Sequence, residues 1–252
     1  MPRARPGNTG VSTPRVHDHS MAVDLRGVPT VLLPGTGSDD DYVYRAFATA
    51  LHEVGALAIP HAPQPARLIA GYREALDEAA RDRPIAVAGI SLGAAVGAAW
   101  AISHPGHVVA VLAALPPWTG SPQGAPAALA ATQSAHELRR DGLSAAVARM
   151  RESSPPWLAA ELTRSWVGQW PDLPDAMTEA AQYVAPTSGQ LATLAVPMGV
   201  ASASDDPIHP LEVGVEWVAA APYASLRTVT LAQIGAAPGA LGIACLAALA
   251  DA

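Results

Sequence analysis

The stretch that most constrains this chain is Gly89-Ile90-Ser91-Leu92-Gly93, which joins a candidate strand to a candidate helix. The apolar run 84–88 before it is long enough for a buried strand, and the small residues of 94–102 favour a helix lying close on a sheet. Such a connection has to be tight, and its two glycines avoid the steric clash that a side chain would cause. The layout predicts that Ser91 projects from the tip of this turn.

The Gly-x-Ser-x-Gly pattern by itself is weak evidence. In a chain of 252 residues with 21 glycines, it is expected by chance about 0.1 times. The alternative interpretation is an ordinary glycine-rich turn between a strand and a helix. The strand before the motif and the helix after it favour a nucleophile elbow, in which the serine is presented for chemistry.

Candidate strands alternate with candidate helices along the rest of the chain, and each strand is apolar throughout. The predicted strands are 28–33, 56–59, 84–88, 108–115, 194–201 and 226–231, and the main predicted helices are 42–54, 66–83, 94–102 and 239–250. Uniformly apolar strands that alternate with helices are typical of a parallel sheet covered on both faces. We therefore predict an α/β fold.

Residues 117–190 differ in pattern from the sequence on either side, because they are helical in pattern and repeatedly interrupted by proline. We interpret this stretch as a helical insertion over the sheet, and residues 25–116 and 191–252 as the α/β core. Residues 1–24 lack the continuous apolar segment that a secretory signal requires. They are predicted to be a disordered leader.

Composition excludes several classes of partner. The net charge of −7 argues against a nucleic acid or an anionic membrane surface. Cys245 is the only cysteine, so neither an internal disulfide nor a cysteine-based metal site is possible. No histidine pair has the spacing of a zinc site, and no stretch has the length and apolarity of a membrane span. The sequence predicts a cytoplasmic protein with no metal and no cofactor.

Four segments, in this order, resemble the α/β-hydrolase superfamily. The run 32–37 resembles that family's strand and H-G-x-G turn, with Pro34 at the histidine position, and 89–93 resembles its elbow. The proline- and tryptophan-rich stretch 117–190 resembles its variable cap. The segment 204–210 resembles the family's D-D-P-x-x-P segment, which carries the catalytic acid.

The resemblance implies a role for several of these residues. A serine at the elbow implies acyl transfer through an acyl-enzyme on Ser91. The oxyanion donors are then the backbone N–H groups of Leu92 and Thr36, with Gly37 as the alternate to Thr36. Asp206 matches the family acid, and Asp205 is its close competitor.

The catalytic base is where this sequence departs from the family pattern. The segment Ile234-Gly235-Ala236 aligns with a family I-G-H, so Ala236 stands where the histidine is expected, and no histidine follows His209. Three explanations are open at this stage. His209 supplies the base, Ala236 marks a natural or engineered loss that leaves a protein with little turnover, or His61 reaches in from the loop after its own strand.

The large aromatic side chains of the predicted cap have two interpretations. Trp118, Trp157 and Trp170 either line an apolar substrate pocket, together with His61, or pack within the cap, whereas Trp166 is predicted to pack. The resulting functional hypothesis is a serine hydrolase that cleaves a small apolar carboxylic ester or thioester. The rival hypothesis is a catalytically impaired or non-catalytic member that binds a small ligand or partner.

Overall fold

The computed structural model describes residues 23–252, so the predicted leader lies almost entirely outside the described residues. The strands of the described chain are β1 (Pro29–Leu33), β2 (Leu57–Pro60), β3 (Ile85–Ile90), β4 (Val108–Ala114), β5 (Met198–Ala203) and β6 (Ala224–Val229). The helices are α1 (Asp40–Glu53), α2 (Leu68–Ala79), α3 (Leu92–Ser103), α4 (Pro126–Ser153), α5 (Pro156–Gln169), α6 (Leu173–Ala181), α7 (Ser188–Leu191), α8 (Leu211–Ala220), α9 (Leu231–Ala236) and α10 (Ala240–Leu249).

The six strands form one parallel sheet in the order β2-β1-β3-β4-β5-β6. Helices α1 and α10 cover one face, where Phe47 and Cys245 are fully buried, and α2, α3 and α8 cover the other, where Tyr72 and Trp217 are fully buried. Burial raises the pKa of the Cys245 thiol, so this side chain behaves as a small apolar group. The predicted α/β fold with helices on both faces is confirmed.

One strand differs from its prediction. The sequence predicts that residues 56–59 form a buried strand, but β2 lies at the edge of the sheet, and Leu57 and Ile59 are 47% and 42% exposed. The N–H groups of Leu57 and His61 donate to the carbonyls of Val28, just before β1, and of Leu32 in β1, so the backbone N positions of Ala58 and Pro60 face the open edge. Because proline has no N–H, Pro60 removes a donor from this edge and hinders pairing with another strand.

The end of the last predicted strand also differs from the structure. The segment 234–236, where the family resemblance places a histidine, lies in α9, and Thr230 caps that helix with a capping box that pairs its side chain and backbone with Gln233. The predicted strand 226–231 consequently ends at Val229. Thr230 and Gln233 have the Thr-x-x-Gln spacing of a capping box, which is the local reason that the strand stops there.

Helices α4, α5 and α6 lie between β4 and β5 in sequence and have their own apolar cluster around Leu138, Trp166 and Leu173; we call these three helices the helical insertion. Its α6 is attached to the core by Glu179, whose carboxylate accepts from the N–H groups of Leu68 and Ile69 at the start of α2, at 2.9 and 3.2 Å. A carboxylate at a helix N-terminus is favoured by the helix dipole. Within the described residues, no helix is long and apolar enough to cross a membrane.

Candidate active site

Ser91 lies at the sharp turn between β3 and α3. Its backbone is in the left-handed region, with φ 53° and ψ −116°, a conformation that costs free energy in a residue with a side chain. The glycines on either side permit close backbone packing. A Cβ on Gly89 would overlap the Gly93 carbonyl, and a Cβ on Gly93 would overlap the Leu33 carbonyl oxygen. The strand, turn and helix predicted around Ser91 are therefore present.

Replacing Gly93 with alanine tests this close packing. The added methyl would overlap the Leu33 carbonyl and lie 2.7 Å from the Pro34 carbonyl oxygen, so backbone has to shift on both sides. We expect Gly93→Ala to destabilise the fold by about 1–3 kcal/mol or more, as overpacking does in protein cores. Chemical denaturation measures the loss, and Gly106→Ala is the matched control because its Cβ position is open. Equal stability of the two variants would contradict the packing described here.

The Ser91 hydroxyl contacts an imidazole. His209 Nε2 lies 2.9 Å from Ser91 Oγ, and His209 Nδ1 lies 2.8 Å from Asp206 Oδ2. Because a carboxylate only accepts, Nδ1 carries the hydrogen, which leaves the Nε2 lone pair to accept from the Ser91 hydroxyl. The three side chains thus form one continuous chain of hydrogen bonds.

The carboxylate of Asp206 also accepts hydrogen bonds from the backbone of its own loop. Its Oδ1 accepts from the backbone N–H groups of Ile208 and His209, at 2.8 and 3.2 Å, so one side chain both shapes the turn and orients the ring three residues on. Burial of this carboxyl raises its pKa, but hydrogen bonds from the His209 ring and from these two N–H groups outweigh burial, and the net pKa is lowered. Asp206 is therefore ionised at neutral pH.

Asp205, the competing candidate acid, points elsewhere. Its Oδ1 accepts from the N–H of Leu231, at 2.7 Å, at the first residue of α9. The neighbouring Ser204 also bonds to this part of the chain, since its N–H donates to the Val229 carbonyl at 2.9 Å. Asp205 and Ser204 thus anchor the loop that carries Asp206 and His209.

The second predicted oxyanion element is the turn after β1, which packs directly against Ser91. A Cβ on Gly35 would lie 3.4 Å from Ser91 Cβ, and the buried Tyr72 hydroxyl donates to the Pro34 carbonyl at 3.1 Å. The Ser38 N–H donates to the Gly35 carbonyl at 3.0 Å, which closes the turn around Thr36 and Gly37. Leu92 is the first residue of α3, so its N–H has no acceptor within the helix.

The helical insertion contacts this turn through α5. The buried Gln169 amide donates to the Ser38 carbonyl at 2.9 Å, and Arg164 donates to both carboxylate oxygens of Asp39 at 3.0–3.1 Å. The Trp166 indole lies over Gly37, where a Cβ would be 2.8 Å from its Nε1. Three side chains of α5 therefore contact three consecutive residues, 37–39.

The other candidate site residues are dispersed. His61 follows the edge strand β2, where its ring packs edge-on against Tyr72 with centroids 5.8 Å apart, and its Nε2 is buried without a partner. Burial lowers the pKa of this imidazole, which favours its neutral form. The hydrogen bond to Ser91 is made by His209 and not by His61.

The four tryptophans between residues 117 and 190 occupy different environments. Trp118 is packed in the core and donates to the Tyr183 carbonyl at 3.1 Å, and Trp166 is buried in the insertion, as predicted. Trp170 ends α5 and is 40% exposed. Trp157 packs against Gly235, so closely that a Cβ on Gly235 would overlap its ring, and Gly235 is next to Ala236. The packing interpretation therefore suits Trp118, and Trp157 borders the position where the family histidine is expected.

The sequence does not predict two side chains that bind the turn beside Ser91, those of Gln169 and Tyr72. Gln169 is one of many polar residues in a helical pattern, and no local motif indicates that its amide reaches Ser38. Tyr72 falls on the apolar side of its helix, and nothing there indicates a hydroxyl bonded to the Pro34 carbonyl. Both contacts depend on tertiary packing. Among residues 23–252, no cluster of histidine, cysteine, aspartate or glutamate has the arrangement of a metal site.

Comparison with known proteins places this geometry in a known fold. No family model and no curated sequence matches the chain. Solved structures do. A hydrolase from Pseudomonas aeruginosa PA01 superimposes with a TM-score of 0.63 at 22% identity, over 88% of this chain and 90% of that one. An enol-lactonase from Burkholderia xenovorans LB400 does so with 0.59 at 19%, over 82% and 83%. An esterase from Rhodococcus sp. ECU1013 gives 0.60 at 15%, over 81% and 82%. The chain has the α/β-hydrolase fold.

Proposed function

We propose that this protein is a serine hydrolase that cleaves a small, apolar carboxylic ester or thioester. The observation that carries the proposal is the unbroken hydrogen-bond chain from Ser91 through His209 to Asp206, with heavy-atom distances of 2.9 and 2.8 Å. A nucleophile, a base and an orienting carboxylate in that order form the arrangement that serine hydrolases require. Here the acid and the base come from a single loop, which compensates for alanine at position 236.

In the proposed mechanism, Ser91 Oγ attacks the substrate carbonyl carbon while its proton passes to His209 Nε2. The resulting imidazolium is stabilised by the Asp206 carboxylate at Nδ1. The backbone N–H groups of Leu92 and Thr36 donate to the oxyanion, each contributing about 2.7–4 kcal/mol to lowering the barrier. His209 then gives its proton to the departing alcohol or thiol, and the acyl group remains on Ser91.

Deacylation repeats these steps with water as the nucleophile. His209 accepts a proton from water as the hydroxyl attacks the acyl carbon, and returns that proton to Ser91 Oγ as the acid leaves. The balance is one water consumed and one carboxylic acid and one alcohol or thiol released. No cofactor enters these steps.

Two further features support a small substrate. Ser91 is only 8% exposed. The helical insertion is hydrogen-bonded to the turn beside Ser91, so we propose that residues 117–190 act as a cap that limits the size of the acyl group.

The names of two structural neighbours, an enol-lactonase and an esterase, support ester chemistry for this chain. A cytoplasmic location stays a prediction from the sequence.

Labelling with a fluorophosphonate tests the proposal, because this probe phosphonylates an activated serine. We expect stoichiometric labelling of the intact chain at neutral pH, with the modified peptide containing Ser91, and no labelling after Ser91→Ala. Ser103→Ala is the matched control, since that hydroxyl is exposed and bonds to backbone carbonyls of its own helix. A folded wild-type chain that fails to label would favour the rival proposal of a binding protein without turnover.

A further inference from the structure

We propose that α5 of the helical insertion positions the oxyanion turn, and that Gln169 is its main positioning residue. This inference rests on the proposed function, because it assigns to Gln169 an effect on transition-state stabilisation. The turn in question is residues 35–38, which supply the proposed Thr36 donor. Gln169 does not touch the reacting atoms and acts through the backbone of Ser38.

The contact between Gln169 and the turn is buried and specific. Gln169 is 8% exposed, and its Nε2 donates both to the Ser38 carbonyl at 2.9 Å and to Ser165 Oγ at 2.7 Å. Ser165 is itself 3% exposed, so the amide is held in place on both sides. A buried amide that gives its two hydrogens to two fixed acceptors restricts the carbonyl it contacts.

The position of Ser38 makes this restriction relevant to the oxyanion. Ser38 also donates its N–H to the Gly35 carbonyl at 3.0 Å, and a Cβ on Gly35 would lie 3.4 Å from Ser91 Cβ. Gln169 therefore holds the far end of a closed turn whose near end touches Ser91. Displacing an oxyanion donor by even a fraction of an ångström weakens its bond to the transition state more than to the bound substrate.

Arg164 contacts Asp39, the residue that follows this turn. Its guanidinium binds Asp39, which caps α1 through the Tyr42 N–H, and it also lies 2.8 Å from Glu161 and 3.1 Å from Asp41. The Arg164 side chain is 48% exposed. Such ion pairs are screened by salt and contribute little. The buried amide of Gln169 is thus the stronger restraint on the turn.

The test is Gln169→Met, which keeps the length of the side chain and removes its donor. We expect kcat per titrated active site, with p-nitrophenyl butyrate as substrate, to fall about 10- to 100-fold while KM changes less than about threefold. The affinity for a butyl boronic acid, which forms a tetrahedral adduct on Ser91, should fall in parallel with kcat/KM. Fluorophosphonate titration counts the competent active sites in every sample.

Two control variants separate positioning from general loosening of the insertion. Val167→Ala changes an exposed residue of the same helix, and Arg139→Met removes an ion pair with Asp175 that lies between α4 and α6. Both should keep kcat within about twofold of wild type. If Arg139→Met lowers kcat as much as Gln169→Met, or if Gln169→Met lowers only the titrated fraction, the inference is overturned. A wild-type chain that neither labels nor turns over would refute the proposed function, and this inference with it.

Discussion

His209→Ala should lower turnover of a p-nitrophenyl ester by about 10⁴-fold or more, while the chain stays folded. The physical reason is that His209 Nε2, at 2.9 Å from Ser91 Oγ, is the acceptor for the hydroxyl proton. Without it, attack requires an unassisted serine hydroxyl. The His209 side chain is only 16% exposed, and its removal leaves the Asp206 carboxylate without the imidazole, so we expect a loss of about 1–3 kcal/mol of stability in a chain that still folds. Steady-state kinetics and thermal unfolding measure the two quantities separately.

Added imidazole provides a control for this variant. Removing the His209 ring leaves space beside Asp206, and free imidazole that enters it should restore part of the activity in a saturable manner. Ala236→His in the wild-type background should add little, because Asp206 is already bonded to His209. An inert wild type that gains turnover from Ala236→His would instead support the explanation that a base was lost at position 236.

The fold of this chain can be predicted from its sequence because the core strands and helices have local patterns of apolar and small residues. The apolar run before Ser91 and the small residues after it predict β3 and α3, and parallel strands covered on both faces follow from uniformly apolar runs. What the sequence could not provide is the order of the strands. Residues 56–59 are apolar like the rest, and only the sheet order places β2 at an exposed edge.

Some residues of the candidate site can be predicted from the sequence, and others cannot. The elbow and the D-D-P segment predict Ser91 and Asp206 at the carboxyl ends of parallel strands, whereas His209 is one of three explanations for the missing family histidine. The choice among His209, His61 and no base depended on how one short loop folds, and a sequence motif does not give that geometry. The contact of Gln169 with Ser38 joins residues 131 apart in the chain. No local sequence pattern predicts a contact between residues that are so far apart in the chain.

The adjacent carboxylates Asp205 and Asp206 provide the second large prediction. Asp206→Asn should lower kcat by about 10⁴-fold, because the neutral amide reverses the hydrogen bond at His209 Nδ1. The amide oxygen can still accept from the Ile208 and His209 N–H groups, which leaves its NH₂ facing the ring. Nδ1 must then accept, the ring hydrogen moves to Nε2, and Nε2 can no longer receive the Ser91 proton. Kinetics above and below neutral pH measure the loss.

Asp205→Asn is the matched control, since an amide oxygen can replace the carboxylate oxygen that accepts from the Leu231 N–H at 2.7 Å. We expect its kcat within about threefold of wild type. Asp205→Ala, which removes that acceptor, should cost about 1 kcal/mol of stability and lower kcat modestly, because the loop holding both Asp206 and His209 loses an anchor to α9. The opposite ranking, with Asp205→Asn inactive and Asp206→Asn active, would transfer the role of acid to Asp205. It would also require the loop 204–210 to rearrange, because Asp205 points to α9 while Asp206 contacts the imidazole.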